Sequence, residues 1–106
     1  MFSLVNMHRE QITTIKKEMG LTHKDFHADL PNLLNGIPYD LSEDTVKFQV
    51  KGKGVEISLG PEGVREIGPS VRLPVTPVTL CFFDFSEEEI NAFVRHFNLK
   101  FMKGGG

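Results

Sequence analysis

The sequence predicts an α+β domain with two N-terminal helices, an antiparallel meander of about four strands, and a C-terminal helix packed on one face of the sheet. Two observations carry that prediction. Apolar residues recur at helical spacing over the first third of the chain, switch to strict alternation near Thr45, and return to helical spacing after Ser86. The helical and extended runs are also segregated along the chain, which favours helices gathered on an antiparallel sheet over alternating βαβ units.

The first helix is expected over residues 6–19, where Val5, His8, Ile12, Ile15 and Met19 fall on one stripe and Gly20 follows as a C-terminal cap. A second opens at Thr22, with Asp25 placed to complete a capping box and Phe26, Leu30, Leu33 and Leu34 as its apolar face. Pro31 is expected to break it, since proline lacks the amide proton of the helical ladder. "NGIPYD" reads as loop. "TVKFQV" and "VEISL" then alternate around a turn at "KGKG", with Val46, Phe48 and Val50 on one face and Val55, Ile57 and Leu59 matching them. "VREI" is a short strand, and Pro74 and Pro77 mark "VRLPVTP" as edge or irregular. "VTLCFFDF" is the last strand. Ser86 and Glu89 form a second capping box, Phe85 and Ile90 a hydrophobic staple, and Asn98 a stop.

At 106 residues the chain suits a single domain, read as 1–103 with a flexible glycine tail at 104–106. Twelve basic and fourteen acidic residues are evenly mixed, without the basic stripe that phosphate binding requires, so no nucleic-acid partner is expected. The single cysteine, Cys81, excludes an intrachain disulfide and points to a reducing, cytoplasmic setting. "MFSLVNMHRE" is too short in apolar residues for a signal-peptide core, and no apolar run is long enough to span a membrane.

Candidate chemistry is sparse. His23 and His27 are spaced to share a helix face and are the candidate metal ligands, with His8 or His96 the imidazoles available to them from elsewhere. Arg65, Arg72 or those histidines would be the polar contacts of a small-molecule or enzyme pocket between sheet and helices. Cys81 lies mid-strand among apolar neighbours, which favours an inert thiol over a nucleophile. No cofactor motif is present, because the glycines of "GKGVEISLGPEG" match neither dinucleotide nor Walker spacing.

Two short stretches look like known families. "IKKEMGLTHKDFHADL" resembles the opening of a helix-turn-helix DNA-binding domain over about twenty residues. The next residues, "LPNLLNGIPYD", supply two prolines and no basic recognition helix. The ending "LKFMKGGG" resembles the Gly-Gly tail of ubiquitin-like modifiers, whose fold begins with a β-hairpin rather than helices.

The last strand carries the functional expectation. Val78, Leu80 and Phe82 lie on one face, while Cys81 and Phe83 make the other face apolar as well. The preceding strands are polar on that side. Either the second helix, a ligand or another subunit should cover Cys81 and Phe83, and a homodimeric protein-interaction module is the leading expectation.

Overall fold

The computed structural model describes residues 11–101. The element order is β1 (Ile12–Met19), α1 (His23–Leu34), β2 (Tyr39–Ser42), β3 (Thr45–Val50), β4 (Lys53–Leu59), β5 (Gly63–Glu66), β6 (Arg72–Phe83) and α2 (Glu87–Phe101). The main sheet runs β1-β6-β4-β3-β2 with every neighbour antiparallel, and β5 pairs with the first part of β6 as a two-stranded ribbon. The class is α+β, but the expected arrangement is corrected: among the described residues there are two helices rather than three, and six strands rather than four.

The correction begins at β1. Residues 12–19, expected as helix, form an edge strand, whereas 6–10 lie outside the described residues. Ile12, Ile15 and Met19 fit a helical stripe, but Thr13, Ile15, Lys17 and Met19 also alternate toward one face, and four consecutive β-branched residues favour extension. An eight-residue register against β6, from Ile12↔Phe83 to Met19↔Thr76, decides between them. Lys17 points inward, hydrogen-bonded to Asn98 Oδ1 and 5.4 Å from the centre of the Phe97 ring, and burial lowers its pKa. An inward lysine on an edge strand disfavours pairing with a foreign strand.

Helix α1 starts as expected, with Thr22 and Asp25 exchanging both bonds of the capping box. It then runs through Pro31 without a break. Pro31 is exposed and one turn from the end, and its own carbonyl accepts the Asn35 amide at 2.8 Å, where Asn35 closes the helix in the left-handed region at φ 49°. Tyr39 and Asp40, the end of the expected "NGIPYD" loop, instead open a short edge strand, Tyr39–Ser42.

The "VRLPVTP" expectation holds in part: residues 72–75 pair with β5 alone among the described strands, as an edge does, while Thr76 and Pro77 open the stretch of β6 that pairs with β1 and becomes central at Val78, where the β4 ladder begins. Pro77 fits because its carbonyl accepts the Gly60 amide at 2.8 Å. Its nitrogen therefore faces the same edge, just past the last β4 pair, Leu59↔Val78, and the β1 ladder loses no donor. A Cβ on Gly60 would lie 3.1 Å from the Pro77 ring, so glycine permits this approach.

Both helices pack on one face. Phe26, Leu30, Leu33 and Leu34 of α1, and Ile90 and Phe97 of α2, share a core with Val46, Val55, Ile57, Val78, Leu80 and Phe82. α2 passes the expected stop at Asn98, because Phe101 stacks on Phe26 with centroids 5.1 Å apart and meets the Phe97 ring, tilted, at 4.7 Å.

The α2 cap is bound to the sheet electrostatically. Ser86 and Glu89 form the expected box, and Glu89 also accepts a bond from Lys53 Nζ at 2.7 Å. That bond, with the Ser86 amide, lowers the Glu89 pKa from 4.5 to about 2. A depressed carboxylate contributes stability that is present above its unfolded pKa and lost as the pH falls through its folded one. Thermal melts across pH 2–7 should therefore show Glu89→Gln less stable than the parent near neutrality, with the gap closing between about pH 4.5 and 2. A gap independent of pH would show that the charge contributes nothing.

Candidate interaction surface

With both helices on one side, no described element covers the other face of the sheet. Strand register arranges its side chains in transverse rows. One row reads Asp40, Lys47, Glu56, Cys81, Thr14 from β2 to β1, and the next reads Gln49, Gly54, Phe83, Ile12 from β3 to β1. The first row is thus charged toward the β2 edge and the second apolar toward β1, with Lys16 and Glu18 farther along β1 on the same face.

Cys81 and Phe83, singled out from the alternation of the last strand, both fall on this face and are half-buried. Phe83 leans on the neighbouring strand, where a Cβ on Gly54 would stand 3.4 Å from its ring. Glycine at 54 leaves the backbone bare for that ring, as a flat apolar shelf. Cys81 is a free thiol, its sulfur 3.7 Å from Thr14 Oγ1. Ile12 beside them is 56% exposed. A shallow groove of about 880 Å³ opens beside this shelf, with Pro38, Lys47, Gln49, Gly54, Glu56 and Phe83 among its lining residues.

The charged row was missed by sequence reasoning. Asp40 and Lys47 are exposed and Glu56 is half-buried, yet among the described residues none of the three makes an ion pair. A signal for it existed. The β3–β4 hairpin turns on two residues, Lys51 and Gly52, both with positive φ, and a two-residue turn fixes the register that sets Lys47 opposite Glu56.

The histidines belong to a different place. His23 Nε2 donates to the Gly60 carbonyl at 2.7 Å, and its Nδ1 lies 3.5 Å from Asp44 Oδ1, with His27 Nε2 3.9 Å from the same oxygen. Asp44, in the β2–β3 turn, is thereby drawn to the start of α1, as is Glu62, which accepts the His23 amide at 2.8 Å. These contacts tie the helix start to two turns. Among the described residues no group of three or more His, Cys, Asp or Glu is placed to hold a metal ion. His96 lies apart, bonded to the Leu33 carbonyl at 3.0 Å, and His8 lies outside the described residues.

Arg65 and Arg72 sit on the β5–β6 ribbon, paired with Glu18 at 2.7 Å and Glu66 at 3.1 Å. Neither lines the groove, nor do His23 and His27, so the constellation expected around a small-molecule pocket is not gathered there. No described helix is long and apolar enough to cross a membrane. The chain matches no protein-family model and no curated protein sequence.

Proposed function

We propose that this chain is a small non-enzymatic interaction module that works as a homodimer through the open face of its sheet. The observation that supports it is the composition of that face: Phe83, Cys81 and Ile12 form an apolar end that no described helix covers, beside a row of charges without an ion pair among the described residues. Contiguous apolar surface rimmed by polar residues is the usual mark of an interaction site. The free Cys81 thiol within it fits a reducing, cytoplasmic compartment.

Sedimentation velocity of the untagged protein up to about 100 µM tests the reading, because an interface at the small end of the specific range dissociates in the micromolar regime. A dimer is expected, and Phe83→Asp should convert it to monomer while moving the melting midpoint by only a few degrees, since Phe83 is not a core residue. A parent protein that stays monomeric throughout would remove the proposal. So would a dimer indifferent to Phe83→Asp.

A further inference from the structure

The apolar end of the open face stands where the chain enters the sheet. We infer that the chain's own N-terminal segment, Met1–Glu10, occupies the groove beside Phe83, covering Ile12 and Phe83 in cis and competing with a second copy for them. The cover regulates the face named in the homodimer reading above, and rests on that reading only for the competition.

Two hydrogen bonds fix the entry corner. The Asp84 amide donates to the Gln11 carbonyl at 2.7 Å, and Asp84 Oδ1 accepts the Gln11 amide at 2.9 Å. Asp84 is in the left-handed region at φ 65°, so β6 ends here and the chain turns toward the α2 cap. Gln11 is thereby held next to Ile12, at the end of the transverse row that continues through Phe83 and Gly54 to Gln49. The groove of about 880 Å³ lies along that row, with Phe83 and Pro38 among its lining residues.

Sequence and length fit the groove. Met1, Phe2, Leu4, Val5 and Met7 make five of the first seven residues apolar, whereas His8, Arg9 and Glu10 are polar. Three polar residues are enough for the turn that brings a chain at the β1 edge back over the face. From β1 to β2 the row crosses four strand spacings, about 19 Å. Seven extended residues reach about 23 Å, enough to cross it. Tethered at Gln11, the segment meets the groove at an effective concentration on the order of millimolar, whereas a second copy arrives only at its bulk concentration.

Cys81 reports the cover, since it is the only cysteine of the chain, half-buried on the same face and two residues from Phe83. Its labelling by a small maleimide is measured at about 1 µM, below the regime in which a small interface holds two copies together. Three chains are compared: the parent, one lacking residues 2–9, and Phe2→Asp with Leu4→Asp, which keeps the length of the segment. Both variants should label at least about fivefold faster than the parent. Both should also dimerise at lower concentration in sedimentation velocity. Melting midpoints within a few degrees of the parent separate a lifted cover from unfolding. Three equal labelling rates would overturn the cover and leave self-association standing. Faster labelling of the truncated chain alone would overturn it too, because the apolar side chains would then play no part. Faster labelling of both variants, with every chain monomeric at about 100 µM, would uphold the cover and remove the homodimer reading instead.

Discussion

Phe82→Ala is expected to lower the unfolding free energy by about 3–5 kcal/mol, the largest effect of any single substitution considered for this chain. Phe82 is fully buried on the central strand, paired to Thr13 of β1 and to Val55 of β4. Its ring meets Phe85 at 5.2 Å and Phe93 edge-on at 5.6 Å. Phe93 continues the cluster to Phe48 and Phe97, and Phe97 to Phe101. Truncation therefore opens a cavity where the sheet, the Phe85 staple and α2 converge, and the rigid β6 backbone held on both sides cannot collapse into it. Domains of this size hold only ~5–15 kcal/mol in total. At about 4–8 °C per kcal/mol, the melting midpoint should fall by at least about 12 °C. Phe82→Leu, which keeps most of the volume, should recover more than half of that loss. If chemical denaturation showed the alanine variant within about 1 kcal/mol of the parent, the convergence of the core on this ring would be wrong.

Thr76→Val should cost about 1–3 kcal/mol although it is nearly isosteric. Thr76 is fully buried, and its hydroxyl donates to the Leu21 carbonyl at 2.7 Å. Leu21 lies in the corner where β1 ends and α1 begins, with its amide bonded to the Met19 carbonyl at 2.9 Å. One side chain on the central strand thus anchors the crossing from edge strand to helix. Valine preserves the packing and leaves the carbonyl without this donor. Thr76→Ser reverses the terms, retaining the bond and removing a methyl group, and should cost less. Urea titration of the two variants separates them: serine less stable than valine would mean that packing, not the hydrogen bond, holds this corner.

The reading of Cys81 and Phe83 as an outward pair needed only the two-residue period of a strand, and both stand on the open face. Whether anything covers that face could not be read from the same stretch. It depends on where α1 and α2 pack, and the residues that send both helices to the other side are scattered from Leu21 to Phe97. The charged row depended on register. Lys47 and Glu56 are nine residues apart and look like ordinary solvent-facing side chains until the Lys51–Gly52 turn aligns them. Asp44 near His23 and His27 had no comparable cue, since a turn aspartate is drawn toward a helix start only by the way β3 and β4 return beneath it.

What the sequence by itself determined was local. Both capping boxes, the Phe85 and Ile90 positions, the apolar face of α1 and the β3–β4 hairpin all rest on interactions within a few residues, and those form wherever the surrounding chain allows. Tertiary structure decided whatever local chemistry left balanced. "ITTIKKEM" satisfies a helical and an alternating pattern at once, and the free edge of β6 made it a strand. Pro77 is forbidden in a central strand only if its nitrogen faces a ladder partner, and β4 ends before that point. Asn98 can stop a helix, but Phe101 finds Phe26 one turn later. In each case the deciding contact came from a segment distant in sequence, whose free energy exceeded the fraction of a kilocalorie that separates local propensities.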